Sequence, residues 1–298
     1  MSAITSANTA QAITKLVATR AFSPLVGNLT MAPLVNRDYE AEIASAGDVI
    51  NVPIPPTMSA NNIAEGGTVT PQTASLGNAQ VQLTSHKEAT FQIPDVTKVI
   101  NNPNLLSLYM DPAVIALAEA IETDILSLYP LLTSNTAVGS GGSTLTEATV
   151  DSAERSLFDA KVPQGAQKYL ILSSTAQSQV RQLARFSEAQ TIGSGSAIVT
   201  GMVGRIKDFA VLRSQYVQKP SSTTYNIGFT RDTFALVMRR LPQPMPGTGA
   251  IAEYVEYGGY GFRVVMSYQP NTLAQQFTVD CLYGVGTLRE KFGIQVLN

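Results

Sequence analysis

The sequence predicts an α+β chain whose body carries two extensions, an N-terminal arm and a long β-ribbon. Three observations predict it. From Val49 to His86 there is a single charged residue, Glu65, and short Thr/Gln/Val segments alternate with period two. From Val114 to Leu128 the apolar residues recur at helical spacing. Around YLILS at 169–173, a helix–strand–helix order marks a small α/β domain.

The elements follow in order. Residues 1–36 carry only Lys15 and Arg20 as charges, and Ile13, Leu16 and Val17 place a short helix within Ala10–Arg20. Beyond Phe22, Pro24, Gly27 and Pro33 break regular structure, so this stretch is expected to be an extended arm. VNRDYEAEIASAGDVINVPIPP then runs from a charged patch through a Gly47–Asp48 turn into a strand in which Val49, Asn51 and Pro53 oppose Ile50, Val52 and Ile54. Gly66–Gly67 and Gly77–Asn78 punctuate the ribbon, which is expected to lie on another body because an isolated ribbon is only marginally stable in water.

Asp111–Pro112 is the expected opening of the best helix, with Asp at the N-cap and Pro in the first turn. Val114, Leu117, Ala118, Ile121, Ile125 and Leu128 form its stripe, and Pro130 stops it. GSGGS at 139–143 is a connector. Asp151 and Glu154 have capping-box spacing before Leu157 and Phe158, and Ser174 opens another helix running to about Leu183. Ser187–Thr200 and PQPMPGTG at 242–249 are loops, and strands are expected at Phe209–Leu212, Tyr225–Thr230, Gly261–Tyr268, Phe277–Tyr283 and Gly293–Leu297.

Composition narrows the function. Charged residues make up 14% of the 298, and 20 Lys+Arg stand against 22 Asp+Glu. So few charges suit a surface that other protein will cover, and the near-neutral balance argues against a dedicated nucleic-acid binder. One cysteine, Cys281, excludes an internal disulfide and a multi-cysteine zinc site, and one histidine, His86, excludes paired-histidine metal ligation. No apolar run approaches the roughly 18 residues of a membrane span. The N-terminus lacks the pattern of a signal peptide, so synthesis in the cytoplasm is expected.

Chemistry is not visible. GTGAIA at 247–252 matches a loose dinucleotide fingerprint, but PQPMP precedes it where a strand is needed. Cys281 lies in FTVDCLYG and reads as a buried structural thiol, and His86 reads as a solvent-facing strand residue at the ribbon's foot. Arg37, Asp38 and Glu40 read as an ion-pair patch, and Arg239–Arg240 as a solvated turn or an interface pair. No catalytic, cofactor-binding or metal residues are assigned, and no cofactor is expected.

Several segments together resemble the major capsid proteins of tailed phages, specifically the P22 coat-like group. In that group an Asn-Arg-Asp-Tyr-like run leads into Gly-Asp-Thr-Val and an Ile/Pro-rich strand. Here Asn36, Arg37, Asp38 and Tyr39 precede Gly47, Asp48 and Val49, with the Thr absent. LAEAIETDIL at 117–126 resembles the family's helix, and Asp280, Leu282, Tyr283 and Gly284 match its C-terminal Asp…Leu-Tyr-Gly signature.

The resemblance implies the HK97-type capsid fold: an N-terminal arm at 1–45, an extended E-loop at 46–95, a peripheral domain at 96–134 with a spine helix at 111–130, an α/β axial domain at 135–260, and C-terminal strands at 261–298 returning to the peripheral domain. It implies a shell-forming structural protein and not an enzyme, with itself as partner in hexamers and pentamers. Implied too are a separate scaffolding protein, a portal, a cement or decoration protein, and double-stranded DNA held on the inner face without sequence specificity. No membrane partner is expected. The location implied is the virion, with synthesis in the bacterial host. There is no room for the large inserted domain of the P22 coat, and no long charged extension to act as a fused scaffold. An encapsulin-like shell remains an alternative of the same structural class. A soluble α/β enzyme using His86 or a carboxylate is the alternative of a different class, and a secreted β-rich adhesin is a third.

Overall fold

The computed structural model describes residues 30–39, 49–100, 105–182 and 204–298, apart from positions 57, 64, 74–75, 246 and 258–259. The helix expected within Ala10–Arg20, the Gly47–Asp48 turn, Glu40 and the Ser187–Thr200 loop lie outside the described residues.

The ribbon begins as β1 (Val49–Ile54) paired antiparallel with β2 (Gly77–Gln82), Val49 opposite Gln82 and Ile54 opposite Gly77. The period-two pattern has its expected effect: Ile50, Val52, Ala79 and Val81 are buried and their neighbours are exposed. The paired part is short. The described residues between 55 and 76 form no ladder, so the expected long two-stranded excursion is a six-residue ribbon carrying an irregular loop.

β3 (Ser85–Pro94) runs on into α1 (Asp95–Ile100), and α2 (Leu105–Leu126) follows. The helix start expected at Asp111 is corrected. Asp111–Pro112 lies inside α2, where the proline removes the bond that residue 112 would donate to the carbonyl of Leu108. Burial outweighs that loss, because Met110, Val114, Leu117, Ala118, Ile121, Ile125 and Leu126 are all buried in one core cluster. After Leu126 a short 3-10 turn at Tyr129–Leu131 contains Pro130.

β4 (Val138–Gly139), α3 (Glu147–Asp159), β5 (Lys168–Leu172), α4 (Ser174–Arg181), β6 (Arg205–Ile206), β7 (Phe209–Arg213) and β8 (Tyr225–Thr230) build the α/β part. Asp151 does not open a helix. The N-cap of α3 is Thr146, whose hydroxyl accepts the N–H of Thr149 at 3.3 Å, and Ser173 caps α4 in the same way at 3.2 Å. Asn226 is buried and accepts the N–H of Ser173 at 2.9 Å, which ties the start of α4 to the sheet.

The chain closes with β9 (Phe234–Arg239), β10 (Ala250–Tyr257), β11 (Tyr260–Gln269), β12 (Ala274–Thr287) and β13 (Gly293–Leu297). One sheet has the order β10-β11-β12-β3, with β9 also on β12, and the other has the order β4-β13-β8-β5-β7-β6. A boundary at 260/261 therefore does not separate the two sheets. β9 and β10 precede it yet pair with β12 and β11, while β13 follows it and pairs with β8 and β4. Strand pairing, which is blind to chain order, decides the grouping.

Alternation along β5 shows how the second sheet is covered on both faces. Leu170 and Leu172 join Val150, Leu157, Ala176 and Val180 of α3 and α4, while Ile171 joins the cluster around α2. A third cluster seats the ribbon's foot on its own chain: Ile50, Val52, Ala79 and Val81 lie against Ala235, Val237 and Leu288. Gly284 permits that approach, since a Cβ there would stand 2.3 Å from the carbonyl oxygen of Gln82.

Candidate functional site

The features that bear on function are an exposed loop, the braces beneath it, and the base of the arm. The loop comes from the low-charge stretch. Met58, Ile63, Val69 and Leu76 are between 54% and 72% exposed, with Glu65 the single charge in the interval. Ser59 and Gln72 close it into a unit: the Ser59 N–H donates to Gln72 Oε1 at 3.1 Å, and Gln72 Nε2 donates to the Ser59 carbonyl at 2.5 Å. Uncharged side chains also tie its foot, with Asn78 and Gln80 donating to Asn51 Oδ1 at 2.9 and 3.0 Å. Four large apolar side chains on a loop held at both ends are a surface suited to another protein.

Beneath it, the Asp280…Leu282-Tyr283-Gly284 run is a structural brace. Asp280 has a side chain 4% exposed and accepts two bonds from Arg263, Nε to Oδ1 at 3.0 Å and Nη2 to Oδ2 at 2.5 Å. His86 Nε2 lies 3.0 Å from the same Oδ2, so the expected solvent-facing histidine is half-exposed and partnered. Three residues on, the Tyr283 hydroxyl donates to Asp124 of α2 at 2.7 Å, and Lys87 Nζ lies 3.6 Å from that carboxylate. Burial and the Asp124 bond both push the Tyr283 hydroxyl's pKa upward. β3, β11, β12 and α2 are thereby locked together by charge and hydrogen bond.

The arm base is held in four ways. Met31, Ala32 and Val35 are buried in the α2 cluster. Asn36 bridges Ala235 in parallel, its N–H donating to the Phe234 carbonyl at 2.9 Å and its carbonyl accepting from Leu236 at 3.0 Å. Asp38 pairs with Arg231 at 2.7 Å, and Glu122 of α2 accepts backbone N–H groups from Thr30 and Met31.

The residues weighed for chemistry do not converge. Ala250 of GTGAIA opens a strand, so no helix N-terminus follows the glycines and the dinucleotide reading fails. Arg240 stacks over Tyr254, 4.6 Å from the ring centroid. Cys281 is buried, and burial, then the Asp280 charge, pushes its thiol up to about 12, so it is not a thiolate nucleophile at neutral pH. Among the described residues no group of three His, Cys, Asp or Glu side chains is placed to hold a metal ion. A surface cleft of about 540 Å3 is lined by Asp151, Glu154, Arg155, Phe158, Lys168 and Asp208. Most of its charges are engaged in pairs, Lys168 with Asp208 at 3.2 Å, Arg155 with Asp159 at 3.8 Å and Asp151 with Lys207.

Neither a protein-family model nor a curated protein matches the chain. Solved structures do. A structure from Mycobacterium phage Che8 matches with a TM-score of 0.69 at 17% identity, covering 90% of each chain. The capsid structure of the cyanophage P-SCSP1u matches with a TM-score of 0.64 at 14% identity, covering 89% of this chain and 86% of that one. The fold is that of phage capsid subunits. The α+β, HK97-type architecture expected from the sequence is therefore the one observed. A virus-like particle from Pyrococcus furiosus shares it too, with a TM-score of 0.54 at 10% identity over 96% of this chain and 98% of that one.

Proposed function

We propose that this chain is a major capsid protein that assembles with copies of itself, as hexamers and pentamers, into the icosahedral head shell around a tailed phage's double-stranded DNA. The observation that carries the reading is the shared fold over about nine-tenths of both chains with phage capsid structures. The same shared fold favours a structural, non-enzymatic role. In this reading residues 1–45 are the arm and 46–95 the E-loop, with α2 as the spine helix. The sheet containing β12 then belongs to the peripheral domain, and the sheet containing β8 to the axial domain. The motif resemblance favours the P22 coat-like group. The working location is the virion, after synthesis in the bacterial cytoplasm.

The loop at 55–76 is the contact we assign to a neighbouring subunit, since its foot is seated on its own chain and its tip is exposed and nearly uncharged. A scaffolding protein, a portal and a decoration protein are further partners of this reading. With a formal net charge of −2 per chain, a shell does not gather DNA by attraction, and a motor must drive it in.

Negative-stain microscopy of the purified chain tests this: closed shells or capsomers are expected, and a small soluble oligomer refutes it. The Pyrococcus match favours a second reading, a protein shell of the encapsulin kind. Nuclease-resistant double-stranded DNA inside native particles separates the two, being present in a phage head and absent from such a shell.

A further inference from the structure

One buried carboxylate, Glu122, clasps the base of the arm. It sits on α2, 1% exposed, in the cluster that holds Ala118, Ile121, Met31 and Ala32. Its Oε1 accepts the backbone N–H of Met31 at 2.7 Å and that of Thr30 as well. Its Oε2 is also buried and has no hydrogen-bond partner among the described residues. A carboxylate with one oxygen buried and unpartnered is a costly place for a full negative charge and a favourable one for a proton.

The groups facing it sharpen this. On its own helix, Glu119 lies one turn earlier and carries a like charge. From the segment after β7, Tyr216 hydrogen-bonds to Glu119 and feels both carboxylates, and burial with these acids pushes its hydroxyl up to about 12. From the arm come the two N–H groups and the Thr30 hydroxyl, which also bonds this carboxyl. No basic side chain contributes to the ionisation of Glu122 among the described residues.

We propose that Glu122 is a proton-linked clasp: seating the arm base at Thr30–Val35 against α2 takes up one proton at this carboxyl, and ionising it loosens the arm. Burial raises Glu122 from an ordinary 4.5 to about 7, against the lowering effect of the two N–H bonds and of the Thr30 hydroxyl. The sign follows from linkage. The seated state holds a proton that the released state, with an ordinary carboxyl, has given up, so seating is firmest in acid and weakens as pH rises from 4.5 through 7. Where release fully exposes Glu122, the seated-to-released ratio falls about tenfold per pH unit, by about 300-fold in all. The inference concerns the lone chain and does not depend on its role in a shell.

Amide hydrogen exchange of the purified, unassembled full-length chain between pH 5.5 and 8.5 tests it, read as protection factors corrected for the intrinsic pH dependence of exchange. The amides of Thr30, Met31, Leu34 and Asn36 should lose protection with rising pH toward that tenfold-per-unit slope and level off above pH 7. Glu122→Gln should make the profile flat, and His86→Gln, which removes the chain's single histidine, should leave it sloped. A flat wild-type profile, a slope that survives Glu122→Gln, or a slope lost in His86→Gln overturns the proposal. Carbon-13 titration of the Glu122 carboxyl decides the matter even where the glutamine variant does not fold: a midpoint near 7 is expected, and one near 4.5 overturns it.

Discussion

Truncating Ile121 or Ile125 to Ala should destabilise the unassembled subunit by about 2–5 kcal/mol. The two side chains are 0% and 1% exposed and lie one turn apart on the buried face of α2. Each change removes three carbon atoms at about 0.8 kcal/mol per buried carbon, or about 2.4 kcal/mol of transfer free energy. The cavity left behind adds to that, because α2 shares its cluster with strand residues and with Met31, Ala32 and Val35 and cannot close the gap freely. For a chain of this size a loss of about 3 kcal/mol lowers the thermal midpoint by roughly 6–12 °C. Scanning calorimetry or circular-dichroism melts of Ile121→Ala and Ile125→Ala measure it, with Ala116→Gln on the exposed face as a control that should stay within about 0.5 kcal/mol. Midpoints unchanged from wild type would refute the assignment of α2 as the backbone of this core.

Replacing residues 60–71 with a short Gly/Ser linker should leave a folded subunit, since the loop adds nothing to the three core clusters, but one that forms no closed shells by negative stain. Mature particles should run as single subunits on denaturing gels: the loop from 55 to 76 has no lysine, and Lys87 is engaged by Asp124 at 3.6 Å. Asp280→Ala, which strands Arg263 beside an empty buried site, should cost about 3–5 kcal/mol in chemical denaturation, more than His86→Gln at the half-exposed end of the cluster. Glu122 holds a proton in the folded chain between pH 4.5 and 7 that the unfolded chain releases. Its contribution to stability therefore falls as pH rises through that window, by about 3 kcal/mol at the limit, and Glu122→Gln should remove that slope from a series of urea melts.

The legible parts of this fold were those whose signal is local. Tyr225–Thr230 and Gly293–Leu297 are strands with the expected bounds, and the stripe from Val114 to Ile125 faces the core as its spacing requires. Misreadings arose where a local signal met a tertiary one. Asp111–Pro112 has every mark of a helix start, yet burial of Met110 carries the helix back to Leu105. β9 was missed because FALVM is buried on both faces and shows no alternation, and β10 was hidden behind the glycines of GTGAIA. The bracing contacts were beyond reach for another reason. His86 and Asp280 are 194 positions apart, and Glu122 meets Met31 across 91, so no window along the sequence contains both partners. The motif residues Asp280, Tyr283 and Gly284 were visible as a resemblance. Their physical roles, an anion for Arg263, a hydroxyl for Asp124 and a space for Gln82, were not.

β12 pairs with β3, β9 and β11, and it joins Thr90 to Thr278 across 188 positions. On a ribosome adding about 5–20 residues per second, that separation is roughly 10–40 s during which β3 and the apolar face of α2 have emerged without the strand that covers them. An unfinished chain thus offers a bare strand edge and a bare helix to its surroundings, the two features most prone to wrong partners in a crowded polysome. The subunit has no half-built form that is safe to leave waiting. A nascent-chain chaperone that shields α2 until β12 arrives would set the yield of correctly folded subunits before any shell begins to form.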